Sequence, residues 1–455
     1  MDDASSLIEC RWEGYLEDVR GFLRMPSVSP TGEGIEETAD FLREFLGDRL
    51  GIEAKLLRYD GHPIVYGRME GDSDRTLILY SMYDVLPVEP LEEWIAPPFA
   101  AEIVGDRIIA RGAVNTKAPL MATLLGVEAL RDSEGLPVNL VFVLEGEEEI
   151  GSPSIARLVE DRKGELRGAQ SGFFMMPTEG KKGMPQIILG KRGVIYLEVT
   201  IKASRYNAHS SYAMMHYNPV EIASNLISTL KDAEGNIVAD WLFEDVATPL
   251  EEDVEYLPDL REAFGLEELV EQYGIAKTRG PVKDLYEDVF FKPSVNVDGI
   301  IGGYTGEGAK TVTPRDVTFK MDFRLVPNMT KEATLRRFEE HLERHGLRDW
   351  VEYRIYHNYD WSRTHPDAPI AVAARRAFEE LGMRPYIITS AAGSAPEYLF
   401  TKTLGMPIIT AGPGYGGRIH APNEFIEVEG VRKMIEYIPR LISNWAEEER
   451  AQADA

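Results

Sequence analysis

Three places in this chain hold residues that could carry hydrolytic chemistry. An acidic run, Glu145-Gly146-Glu147-Glu148-Glu149, follows directly on the apolar stretch Asn139–Leu144 (NLVFVL). Asp84 follows a second apolar stretch, Thr76–Tyr80 (TLILY). His420 sits in a glycine-rich loop (GPGYGGRIHAPNE), where the backbone can approach a ligand closely. Closely placed carboxylates raise one another's pKa, which suits them to move protons near neutral pH, and carboxylates with an imidazole also form a divalent-metal donor set. Taken alone, the acidic run reads more readily as a solvated turn, and His420 reads equally as loop surface or as a ligand.

The elements that must hold these residues tip that balance. Both apolar stretches read as buried strands, and the acidic residues come just after their C-terminal ends, where open α/β sheets place their ligand crevice. Residues 35–50 put Ile35, Phe41, Leu42 and Phe45 near helical spacing, and Lys117–Leu130 is rich in Ala, Leu and Met, as suits a helix packed on that sheet. The expected fold class is therefore α/β with a mainly parallel central sheet. From about Tyr196 the pattern changes: LEVTIKAS and Val317–Arg324 (VTFKMDFR) alternate like half-exposed strands, with a polar, acidic stretch between them. The expected division is 1–193, an inserted α+β unit over 194–361, and a return of the first unit over 362–455. The last segment carries an amphipathic helix with Val431, Ile435, Ile438, Ile442 and Trp445 on one face and a kink expected at Pro439. Cys10 falls on an N-terminal amphipathic helix beside Ile8 and Trp12, where packing is expected.

Composition narrows the class further. With 455 residues, two domains are the default, and 44% apolar with 27% charged residues fits a packed globular protein. No run of eighteen apolar residues indicates a membrane span, and the acidic opening MDDASSLIEC lacks a signal-peptide pattern, so a cytoplasmic location is expected. A single cysteine rules out an intramolecular disulfide and a thiolate cluster. The formal charge of −27 would repel phosphate backbones, which argues against nucleic acid as a partner.

Several segments, in order along nearly the whole chain, resemble the M20 metallopeptidases. They are Tyr83–Pro87 (YDVLP), 111–119 (RGAVNTKAP), 145–152 (EGEEEIGS), 207–213 (NAHSSYA), 302–314 (GGYTGEGAKTVTP), 322–327 (DFRLVP) and 420–424 (HAPNE). The flavour is that of the dipeptidase and carboxypeptidase branch related to carnosinases. The resemblance implies a catalytic domain with two zinc or manganese ions, interrupted by a lid domain that usually also dimerises. It makes Glu148 the general base, Glu149 and His420 metal ligands, and Asp84 the aspartate beside the first metal. It sends His209 of the lid toward a neighbouring subunit's active site and gives Arg324 a substrate carboxylate to hold. Lys117 and Arg192 also match family positions. Thr389–Pro396 (TSAAGSAP) departs from the usual charged loop but keeps Ser394, which is expected to contact substrate.

Three of the five ligand positions have changed. The histidine before Asp84 is Met82, the bridging aspartate is Asn115, and the carboxylate expected after a later strand falls at Pro177, with Glu179 two residues on as a displaced replacement. Thioether is a soft ligand and proline offers no side-chain donor, so one of the two sites is lost. The other keeps Glu149 and His420, with a neutral amide where a bridging anion belongs. Deleting the metals would strand Asp84, Glu148 and Glu149 together, and Asn115 and Pro177 each remove one further charge from that crowd. Three readings follow: an amide hydrolase with at most one divalent ion, a metal-independent acid–base enzyme, or an inactive homologue that binds a ligand. The expected ligand is a small carboxylated amide, dipeptide or N-acyl amino acid, and a homodimer through the lid is expected from the resemblance alone.

Overall fold

Thr76–Met82 and Asn139–Glu145 are neighbouring parallel strands, paired from Thr76 opposite Asn139 to Met82 opposite Glu145. Every residue of both is buried, as continuous apolar runs require when both faces of a sheet are covered. The computed structural model describes residues 2–453. The two strands lie inside an eight-stranded sheet ordered Lys55–Leu57, Ile64–Met69, Asn139–Glu145, Thr76–Met82, Ser171–Met175, Ile408–Ala411, Gln186–Ile188, Tyr386–Ile388. Its centre is parallel. The first edge is antiparallel, because residues 58–63 are too short for the crossover that parallel pairing needs. Ile408–Ala411 and Gln186–Ile188 also run antiparallel, so the sheet is mixed, with parallel pairing at its centre and between Gln186–Ile188 and Tyr386–Ile388.

Alternation along Thr76–Met82 sends Leu77 and Leu79 to one layer of helices and Ile78 and Tyr80 to the opposite layer, against Ile155, Leu158 and Leu404. On the first side lie Lys117–Ser133 and the C-terminal helix Val428–Ala453. They approach so closely at Gly126 that a Cβ there would stand 2.6 Å from the Ile438 Cβ. Val431, Ile435, Ile438, Ile442 and Trp445 are all fully buried, as their spacing predicts. Cys10 is not packed: it lies on the exposed face of helix Asp2–Leu23, while Ile8 takes the buried position.

A second, four-stranded antiparallel sheet is ordered Ser294–Gly302, Asp316–Leu325, Gly193–Lys202, Val351–Tyr359. The two alternating segments read from the sequence are its central pair. Its apolar face, with Leu197, Val199, Phe319 and Phe323, packs on helices Pro219–Leu230 and Lys331–Arg344 through Leu226 and Phe338. The acidic stretch between these strands does more than link them. Leu260, Leu266, Tyr286 and Phe290 cover Ile388 on the edge strand of the large sheet. Buried Asp253 anchors that contact by accepting from Thr389 Oγ1 at 2.5 Å and pairing with Arg363 at 2.9 Å. Among the described residues, no helix is long and apolar enough to cross a membrane.

Candidate functional site

The acidic cluster forms where the two central strands end. Asp84, fully buried, accepts the backbone N–H of Glu148 on Oδ1 and that of Glu149 on Oδ2, both at 3.1 Å. This ties the turn after one strand to the turn after the other. Glu149 accepts from Asn115 Nδ2 at 2.7 Å, and its Oε2 lies 3.1 Å from His420 Nε2. Asn115 Nδ2 is itself 3.2 Å from that imidazole nitrogen, so amide, carboxylate and imidazole form one closed triangle. His420 sits at φ +64°, in the left-handed region that a residue with a Cβ occupies only when its surroundings hold it there.

Burial governs the protonation of this cluster. Desolvation, opposed by backbone and side-chain hydrogen bonds and reinforced by Glu149, pushes Asp84 up to about 7. Glu148 is driven well above the usual carboxylate range by desolvation and then by Glu149 and Asp84, with Lys191 opposing. Glu145, whose Oε1 accepts from the Tyr80 hydroxyl at 2.5 Å, is raised to about 8 by burial. The Glu149 hydrogen bond raises His420 above its ordinary value. Burial therefore favours the protonated forms of Asp84, Glu145 and Glu148, and the Glu149 hydrogen bond favours the His420 imidazolium.

The donor set does not fit the two-ion centre that the resemblance implies. Met82 presents a buried thioether, and Pro177 presents no donor. Asn115 aims its amide N–H at Glu149 and His420, occupying with a donor the space where a bridging anion would accept an ion. Glu179 is no replacement ligand: its two oxygens accept the backbone N–H groups of Gly183 at 2.6 Å and Gly414 at 3.0 Å. Among the described residues, no three His, Cys, Asp or Glu side chains converge as an ion-holding group.

The remaining expected residues divide. Arg324 and Ser394 come together, Nη1 donating to Oγ at 3.0 Å, while Arg324 Nε holds Asp322 at 2.8 Å. His357 links this pair to the acidic turn. A Cβ on Gly151, two residues past Glu149, would stand 2.9 Å from the His357 Cβ. Burial, and then the Arg324 guanidinium, lowers the His357 pKa. Arg192 donates to the carbonyls of Val289 and Lys292 and to Ser294 Oγ. Lys117 is a correction: it is fully buried, its ammonium donating to the Met25 carbonyl over the Phe22 ring, so it does not reach a substrate. Nothing in its motif says which way the side chain turns, and a helix buried on nearly every face can turn it inward. His209 is exposed on a separate two-stranded pairing with Val312–Thr313 and bonds Ser211 and Thr311, not the acidic cluster.

Two residues missed at the sequence level position Asn115. Glu424 accepts the backbone N–H groups of Val114 and Asn115, each at 3.0 Å, and is held by Arg111 at 2.8 Å in a buried ion pair. Both lie inside the quoted segments RGAVNTKAP and HAPNE, so their charge in a buried motif was the available signal. Lys191, which opposes the charge on Glu148, is paired with buried Glu397 at 3.1 Å.

The sequence profile of Peptidase family M20/M25/M40 matches residues 78–444. The chain is 26% identical to Cys-Gly metallodipeptidase dug1 of Schizosaccharomyces pombe, over 97% of its own length and 98% of that protein. It is 28% identical to human Beta-Ala-His dipeptidase over 62% of its length and 56% of that protein's. Among solved structures, the M20 family metallo-carboxypeptidase Sso-CP2 from Sulfolobus solfataricus superposes with a TM-score of 0.88 at 34% identity, covering 95% of this chain and 99% of that one.

Proposed function

This chain belongs to Peptidase family M20/M25/M40, and from that premise we propose that it hydrolyses the amide bond of a small zwitterionic dipeptide. The observation that carries the reading is that a guanidinium and a carboxyl cluster both approach His357. Arg324 with Ser394 offers a carboxylate-binding pair at one end. Asp84, Glu148 and Glu149 form an acidic end, joined to the first through His357. A dipeptide has a carboxylate and an ammonium to match, whereas an N-acyl amino acid has only the carboxylate. The names of two relatives, a Cys-Gly and a Beta-Ala-His dipeptidase, support the same class.

Glu148 is the group that moves the proton. At rest its buried, acidic surroundings keep the carboxyl protonated. A substrate ammonium entering the acidic end favours the carboxylate, and the resting proton of Glu148 leaves to solvent. Glu148 then takes a proton from water as the water oxygen attacks the carbonyl carbon. It returns the proton to the departing nitrogen as the C–N bond breaks, leaving two amino acids. At most one zinc or manganese would find ligands, at Glu149 and His420. The lid is read as pairing two chains, with His209 reaching the partner's cleft to hold the substrate carbonyl.

Turnover of a zwitterionic dipeptide tests this reading. Glu148→Gln should lower kcat by about two to four orders of magnitude. Arg324→Ala should weaken binding by about 2–3 kcal/mol for the free dipeptide, and by much less for its C-terminal amide. Unchanged turnover in Glu148→Gln would overturn the assignment, and equal losses for dipeptide and amide would remove Arg324 from carboxylate binding.

A further inference from the structure

Away from the acidic cluster, a cavity of about 1030 Å³ lies where the start of strand Ser294–Gly302 meets the loop holding Ala392. Its wall carries Arg192, Lys231, Arg279 and Lys292. Among the described residues that line it, Asp288 is the one carboxylate, and Lys292 already pairs with it at 2.5 Å. The other three cations are held by neutral oxygens. Arg192 bonds the Val289 and Lys292 carbonyls and Ser294 Oγ, Lys231 bonds the Val295 carbonyl at 3.1 Å, and Arg279 bonds the Gly235 carbonyl. Arg192 is 6% exposed, and its Nε has no partner.

This arrangement runs against the rest of the molecule. A chain with 76 acidic and 49 basic residues has carboxylates to spare, yet these three cations have none in ion-pair contact among the described residues. Burial and then nearby Arg324 bring Arg192 down to about 10, and burial and then nearby Arg279 lower Lys231, with Asp322 opposing in part at both. Like charges gathered in a partly desolvated cavity lack the partner that ordinarily offsets their burial. The facing wall is apolar, with Ile237, Phe243, Val246 and Leu285.

We propose that this cavity is an anion-binding site distinct from the dipeptide cleft, and that it takes an organic phosphate, a dianion carried on an apolar body. Three cations with no carboxylate in ion-pair contact match a dianionic head better than a single carboxylate, and guanidinium groups present paired donors to phosphate oxygens. The apolar wall receives the remainder of the ligand.

Titration calorimetry of the full chain with phenyl phosphate, at low salt, tests the site without reference to peptide turnover. Saturable binding of one molecule per chain is expected, weakened about tenfold or more by Lys231→Gln with Arg279→Gln, the scale of lost charged hydrogen bonds. The exposed Arg279→Gln change alone, which leaves the packing untouched, should already weaken binding measurably. Arg324→Ala, which removes a charge near Arg192 but none from the cavity wall, should leave saturable binding in place. Equal affinity in wild type and Arg279→Gln, or no saturation in wild type, would overturn the proposal. Loss of binding in Arg324→Ala would also overturn it, by assigning the phosphate to the dipeptide-carboxylate end. Inorganic phosphate binding as tightly as phenyl phosphate would contradict the role given to the apolar wall.

Discussion

Asp84, Glu145 and Glu148 sit where an ionised carboxylate loses most of its hydration, and each responds by holding its proton to higher pH. In the unfolded chain such groups ionise near pH 4. Folded Glu145 keeps its proton to about 8, and folded Asp84 to about 7. Across that interval the folded state binds more protons than the unfolded one, so these groups lower stability as pH rises through it. Glu145→Gln keeps an acceptor for the Tyr80 hydroxyl but has no proton to lose. Its melting temperature, measured against wild type from about pH 5 to about pH 8, should shift steadily in the variant's favour. A difference that stays flat over that range would contradict the raised pKa. The pairing of Asp84 with the Glu148 and Glu149 amides, 64 and 65 residues on, was not legible in the sequence, because it depends on two distant turns meeting at the ends of the central strands.

At the level of elements, strands were the most legible features. Continuous apolar runs became the buried centre of the large sheet, and alternating runs became the half-covered second sheet, because each period matches the number of faces buried. The acidic stretch was less legible, since its few apolar residues meet a partner strand about 100 residues away in the chain. Beside the short pairing of Ala208–His209 with Val312–Thr313, Tyr212, Met215 and Tyr217 stand well out, and Met214 is fully exposed. Such a patch on a folded chain marks an interaction surface. If the lid pairs two chains there, sedimentation should find a dimer, and Met214→Asp should shift it toward monomer. A wild-type chain that sediments as a monomer at every concentration would contradict that pairing and the role of His209 in the partner's cleft.

For the molecule as a whole, family membership and the state of the ligand set pull in different directions. The family profile runs over residues 78–444, and the motifs could be read in order from the sequence. The identities at Met82, Asn115 and Pro177 were equally plain there. What the sequence left open was how the vacated space is used, and the structure fills it with the Asn115 amide, fixed from behind by Glu424 and Arg111. Lys117 and Glu179 show the same limit, since residue type gave no direction for the side chain. The most direct test of the account is the number of divalent ions per chain, measured by elemental mass spectrometry after equilibration with zinc or manganese. The account predicts no more than one, and its loss in Glu149→Ala or His420→Ala. Two tightly held ions per wild-type chain would contradict it.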